Sequence, residues 1–250
     1  MNYPIFSPVG DSAISATFGD MIQPSINRQI RQVLHQLEEK NDAAIIEVVP
    51  TYCSLLVQYD SLVYTYKEMC ELITEHIPHN AKDNNVDTVK VIELPTVYGG
   101  EYGPDIDFVA SHAGLTVEEV IKKHSGIDYL AYMLGFIPGF AYLGGMDPAL
   151  TTSRLSTPRT LIPAGSVGIA GSQTGTYPSD SPGGWQIIGR TPLVLYDGNR
   201  DNPALLSAGD YIRYTAISES DYKYIEQHRE DYKVNSFVCK EDELHVYGES

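Results

Sequence analysis

The groups able to do chemistry crowd into one stretch of this sequence. Tyr132 to Arg190 holds 11 of the 21 glycines and the only tryptophan, Trp185. Arg159, Ser166, Gln173, Tyr177, Ser181, Gln186 and Arg190 are threaded through it, and each can donate or accept a hydrogen bond. Glycines at this density have two physical uses: turns that require φ > 0, and backbone that must come close to a ligand. A β-barrel with tight corners accounts for the turns. The interleaved polar side chains point to the second use, because binding residues concentrate on loops held by a rigid scaffold. In Pro163-Ala164-Gly165-Ser166-Val167-Gly168 no partner base is visible for Ser166, so a serine nucleophile is disfavoured. Backbone amides around Gly165 and Gly168 suit an anion nest better.

Two other places carry titratable groups. Glu101 and Asp105 share the turn Gly99-Gly100-Glu101-Tyr102-Gly103-Pro104-Asp105. Asp105 either caps the helix that follows, or one of the two carboxylates acts as a base or holds a metal–nucleotide complex. His124 ends a predicted helix just before Ser125-Gly126. Either the helix dipole favours a histidine there, or the imidazole is a general acid/base near neutral pH.

Several chemistries lack their pattern. There is no G-x-x-x-x-G-K-[ST] phosphate loop and no G-x-S-x-G elbow. Gly165, Gly168 and Gly171 imitate a dinucleotide fingerprint only superficially, with strands rather than a helix around them. The seven histidines show no metal-binding spacing, so no metal site is expected. Cys53, Cys70 and Cys239 are scattered and read as reduced core thiols, which suits a reducing compartment. Net charge is −16, which argues against nucleic acid and anionic lipid as partners. With only 17 lysines and arginines, Arg154, Arg159 and Arg190 gain weight as anion-facing groups. No apolar run approaches the ~20 residues of a membrane span. The N-terminus lacks a basic region, so no signal peptide is expected and a cytoplasmic location is the default.

The elements that must position these residues fall into an α+β arrangement. Residues 1–85 read as a small N-terminal α/β domain, ordered ββαββα. Strands over Tyr3–Phe6 and Ile14–Phe18 precede a helix capped by Ser25 and running to about Lys40. Strands over Ala44–Val49 and Ser54–Tyr59 precede a helix opened by the capping box Thr65/Glu68. That order suggests an antiparallel sheet with its helices on one face, in a split-βαβ manner. His79 to Asp87 is the best linker candidate. Residues 86–230 then read as many short strands with small helices, including one opened by Thr116/Glu119 and one capped by Ser218. That pattern is a closed or partly closed barrel. Residues 231–250 read as a loosely held tail around one strand-like piece, Ser236–Cys239.

Ordered motifs carry a resemblance. GFIPGFAYLGG (135–145), PR (158–159), IPAGSVGIAG (162–171), QTGTYP (173–178), SPGGWQIIGRTP (181–192) and YGGEYGPD (98–105) resemble the family of the bacterial 5-oxoprolinase B subunit. That family is also called allophanate hydrolase subunit 1 and includes Kip-type inhibitors of sporulation histidine kinases. The resemblance covers about residues 3 to 225. It implies a cyclophilin-like β-barrel behind the small α/β domain. It also implies work beside the C and A subunits of 5-oxoprolinase, which together use ATP with Mg²⁺ to open 5-oxo-L-proline to L-glutamate. The family carries over no catalytic residue of its own; residue type and membership of these motifs give catalytic roles to His124, Arg159 and Arg190. Substrate or nucleotide contacts fall to Glu101, Gly165, Ser166, Gly168, Gln173, Tyr177 and Gln186, and a partner interface to Phe136, Phe140 and Tyr142. Two other readings follow from the same resemblance: a protein-binding inhibitor of a histidine kinase, and a carboxyltransferase-like part of a urea carboxylase or allophanate hydrolase system.

Overall fold

A computed structural model describes residues 3–77 and 88–247. The linker expected over 79–87 lies outside the described residues. The chain divides into two compact units, Met1–Val86 and Asp87–Ser250.

The first unit runs β1 (Ile5–Pro8), β2 (Ala13–Thr17), α1 (Pro24–Lys40), β3 (Ile45–Pro50), β4 (Ser54–Tyr59) and α2 (Tyr66–Glu75). Its strands pair antiparallel in the order β1-β2-β4-β3. β2 and β3 therefore run parallel with β4 inserted between them, the split-βαβ arrangement. Alternation along the strands turns Ile14, Ala16, Leu55, Val57 and Tyr59 to one face. Ile30, Val33 and Leu37 of α1 and Met69 and Ile73 of α2 close over that face. The capping box at Thr65/Glu68 opens α2. Ser25 is not the cap of α1. Gln23 holds that position without a side-chain bond, and Pro24 starts the helix, where its missing N–H is harmless.

The second unit begins with β5 (Thr88–Tyr98), α3 (Ile106–Ala113), α4 (Val117–Ser125), β6 (Asp128–Leu134) and β7 (Ala141–Gly144). The glycine-rich stretch supplies β8 (Arg159–Ile162), β9 (Ser166–Ala170), β10 (Gln173–Thr176), β11 (Ser181–Gly183) and β12 (Gln186–Arg190). β13 (Tyr211–Ala216), α5 (Glu219–Gln227) and β14 (Ser236–Lys240) complete it. An eight-stranded sheet follows the order β10-β9-β12-β5-β13-β6-β7, with β14 added on β5, and β8 pairs with β11 apart from it. The ends of the path, β10 and β7, lie against each other, so the sheet nearly closes into a barrel. Leu94, Tyr129, Val167, Ile169, Ile188, Ile212 and Tyr214 fill it.

The tail is not loose. β13 takes one side of β5, and β12 reaches only Val97 and Tyr98 on the other. β14 fills the remainder of that side, pairing with Thr88–Ile92. Phe237 lies under the Arg213 guanidinium, 5.2 Å from the ring centroid. Arg213 is itself held bidentate by Asp128 at 2.7 and 2.8 Å, and Asp128 also accepts the N–H of His245. Among the described residues no helix is long and apolar enough to cross a membrane.

Candidate functional site

The turn Pro163–Gly165 joins β8 to β9 and gathers the polar residues of the glycine-rich stretch. Ser166 lies opposite Arg190 on β12, and Ser181 opposite Ile162 on β8. Thr191 N–H donates to the Gly165 carbonyl at 2.9 Å, which makes Ser166 and Arg190 a close, non-hydrogen-bonded pair with neighbouring side chains. Gly165 has no substitute here: its φ is +80° and a Cβ would meet the Thr191 oxygen at 2.2 Å. Ser166 Oγ, Ser181 Oγ and Arg190 Nε are buried and without a hydrogen-bond partner. Three orphaned polar atoms around one turn is unusual, because buried polar groups are nearly always paired. Arg190 carries its guanidinium over the Tyr102 ring, 5.8 Å from the centroid, with Tyr222 beside it.

The amides of this turn are not free to bind an anion, contrary to the nest expected at Gly165. Ala164 N–H donates to the Asp180 carboxylate at 2.8 Å and Gly165 N–H to the Tyr177 carbonyl at 2.7 Å. Gly168 sits within β9, between Gly175 and Ile187 in the ladder.

Arg159 is a brace. It bonds Asp105 at 2.7 Å and the Trp185 carbonyl at 3.4 Å. The other Asp105 oxygen accepts the Ile187 N–H at 2.6 Å. Asp105 does stand at the N-cap of α3, but its side chain makes no cap bond there. Its carboxylate instead ties the Tyr98–Asp105 turn to β8 and β12. Neither this role nor the packing of Tyr102 against Tyr222 is visible in the sequence, since each joins residues far apart in the chain.

His124 is enclosed within the barrel rather than bordering a solvent-reached site. It has no exposed surface and packs against Tyr214 with centroids 4.6 Å apart. Nδ1 lies 2.8 Å from the Tyr98 hydroxyl and Nε2 lies 2.7 Å from Thr174 Oγ1. Thr174 donates to the Gly168 carbonyl, so its oxygen accepts from Nε2–H and Nδ1 accepts from Tyr98. Burial lowers the histidine pKa to about 3 and pushes the Tyr98 and Tyr214 phenols well above their usual range. A neutral, fully bonded imidazole is a poor proton carrier near pH 7, so the general acid/base role is set aside.

The remaining residues scatter. Gln186 is buried and donates to the Ser153 carbonyl at 2.9 Å. Tyr177 is buried beside Phe140 and Trp185, and burial raises its phenol pKa. Glu101 is exposed at its turn, and Gln173 is half-buried at the start of β10. Phe140 is 2% exposed and forms the centre of a cluster with Tyr142, Tyr177 and Trp185. It fills the barrel end and is no docking residue. Phe136 is the exposed member of the expected interface, and Tyr142 is half-buried.

Comparison with known proteins places this arrangement. The model of the carboxyltransferase domain, subdomains C and D, matches residues 4–206. The 5-oxoprolinase B subunit of Bacillus subtilis (strain 168) is 43% identical over 225 residues, covering 86% of this chain and 93% of that protein. The crystal structure of TTHA0988 superposes with a TM-score of 0.73 at 33% identity, covering 82% of this chain and 40% of that one. A urea amidolyase of Saccharomyces cerevisiae is 23% identical over 266 residues, covering 92% of this chain and 14% of that protein. The chain belongs to the carboxyltransferase C and D subdomain family, in the branch of the 5-oxoprolinase B subunits.

Proposed function

We propose that this chain is the B subunit of a heteromeric, ATP-dependent 5-oxoprolinase that opens 5-oxo-L-proline to L-glutamate with companion C and A subunits. The observation that carries the reading is the similarity to a 5-oxoprolinase B subunit along nearly the whole length of both chains. The likeness to urea amidolyase is distant and spans a small part of that protein, which ranks carboxyl transfer behind it. The lactam is inert to water, and activating its carbonyl oxygen with phosphate develops negative charge that needs fixed cations and donors. In so acidic a chain, Arg190 is the group best suited to meet that charge. It is partly exposed, and the orphaned Ser166 and Ser181 hydroxyls stand around the same turn. Arg159 is already engaged by Asp105 and supports the site from behind. This chain has no phosphate loop, so ATP and its Mg²⁺ are assigned to the assembly as a whole.

The test is ATP-dependent release of glutamate from 5-oxoproline, measured for the co-purified complex and for the chain alone. The complex is expected to be active and the chain alone to show little or no ATPase. An assembled but inactive complex would sink the reading. Arg190→Met should lower turnover per assembled complex by roughly 100- to 1,000-fold, the usual cost of losing one donor to a developing oxyanion. Full activity in that variant removes Arg190 from the site.

A further inference from the structure

Arg190 is held differently from Arg159, Arg213 and Arg229. Those three each pair with a carboxylate, respectively Asp105, Asp128 and Glu226. Among the described residues no carboxylate pairs with Arg190. Glu226, on the helix that carries Tyr222, is already engaged by Arg229 at 3.1 Å and by the Tyr222 hydroxyl at 3.4 Å. Arg190 lies instead against aromatic and apolar side chains. On β12 it stands opposite Val97 of β5 on one side and Ser166 of β9 on the other. Val97, Tyr102 and Tyr222 form a buried cluster. The two tyrosine rings meet with centroids 4.7 Å apart. The Arg190 guanidinium lies over the Tyr102 face at 5.8 Å, within the reach of about 6 Å at which a ring face attracts a cation.

The turn that presents Tyr102 is fastened to the strand that carries Arg190. Gly99 N–H donates to the Ile188 carbonyl at 3.1 Å, and Asp105 N–H to the Ile187 carbonyl at 2.9 Å. The Asp105 carboxylate accepts the Ile187 N–H in return. Between these ties Gly103 presses onto the same strand, where a Cβ would collide with the Ile188 oxygen. Arg159 tightens the clamp through its bond to Asp105. Tyr222, on α5, packs against the ring. A carboxylate in place of the ring would hold the guanidinium and also neutralise it. A ring face attracts a cation through its quadrupole and has no net charge, so the full positive charge stays available to another anion. Arg190 Nε is also unspent, as is the hydroxyl of Ser166 opposite it.

We propose that Tyr102 is a positioning residue for Arg190. Its ring face fixes the guanidinium without neutralising it, so that the charge meets the oxyanion developing on the lactam carbonyl. This rests on the 5-oxoprolinase reading above, with Arg190 as the cation of that site. The consequence is kinetic. An interaction made only once the charge has developed, when lost, lowers kcat and leaves KM unchanged.

The test measures 5-oxoproline turnover per assembled complex, with the full chain and the companion subunits of the same source. Tyr102→Leu keeps apolar volume in the cluster and removes the ring face. Its kcat should fall about 10-fold, within the range of a desolvated cation–π contact, with KM unchanged. Tyr102→Met makes the same point if the leucine variant does not assemble. Tyr102→Phe keeps the face and should retain most of the turnover. In an Arg190→Met background Tyr102→Leu should cost nothing more, because the group it positions is gone. The same loss in both backgrounds makes the ring a structural element and overturns the proposal. A phenylalanine variant as impaired as the leucine variant also overturns it, since the hydroxyl and not the face would then matter. Full turnover in Tyr102→Leu beside an impaired Arg190→Met overturns the positioning role alone. Full turnover in Arg190→Met overturns it together with the Arg190 site.

Discussion

At neutral pH His124 carries one ring proton, and the hydrogen bonds around it fix where that proton sits. Adding a second would turn Nδ1 into a donor facing a tyrosine that already donates to it, in a fully buried position. The unfolded chain meets no such obstacle and protonates near pH 6.5, whereas the folded pKa is about 3. The sign follows: the folded-state pKa is depressed, so this contribution is fully present above pH 6.5 and is lost as pH falls towards 3. Within that window the histidine alone removes up to about 1.4 kcal/mol of stability per pH unit. His124→Gln retains one donor and one acceptor but does not titrate. It should be less stable than wild type at pH 7 and should show a shallower decline between pH 6.5 and 4.5, as read by urea unfolding at each pH. Parallel declines would mean that other groups set the acid sensitivity. Residue type alone suggested a proton carrier here, because the sequence shows that a histidine ends a helix but not that Tyr98, Thr174 and Tyr214 converge on it.

The elements divide by how local their determinants are. The capping boxes at Thr65/Glu68 and Thr116/Glu119 and the cap at Ser218 were legible because each is written within four consecutive residues. The barrel and the split-βαβ unit were legible from strand and helix periodicity together with the family motifs. The start of α1 differs from the expected cap because Ser25 has the right side chain two positions too late, behind a proline that begins the helix. Two features depended on distant partners and stayed hidden. Asp105 gave its carboxylate to Arg159 and the Ile187 amide instead of to α3. β14 found an edge that exists only once β12 and β13 have taken their places on β5. That edge has a consequence for stability. Removing residues 235–250 leaves the backbone of Thr88–Ile92 unpaired on one side and uncovers Arg213 and Asp128. An unpaired edge of this kind templates association. The truncated chain should melt at lower temperature and form concentration-dependent oligomers by size-exclusion chromatography. An unchanged Tm and a monodisperse profile relative to the full chain would show that β14 is dispensable.

On the scale of the whole molecule the chain is two cores with one covalent connection. The unit Asp87–Ser250 contains the entire barrel, the turn that gathers Ser166, Ser181 and Arg190, and the hairpin that presents Phe136. Its core runs from Ile92 and Leu94 through Tyr129 to Val167, Ile188 and Tyr214 without borrowing a residue from the first unit. The unit Met1–Val86 has its own core of Ile14, Ile30, Val33, Leu55, Val57 and Met69. Surface-to-volume scaling favours the larger of the two: a domain of about 150 residues buries roughly 70% of its unfolded surface, and one of about 60 residues only some 60%. The second unit expressed alone is therefore expected to unfold in a single cooperative transition, with calorimetric and van't Hoff enthalpies in agreement. A fragment 87–250 that lacks a cooperative transition would mean that the barrel depends on the N-terminal unit for stability.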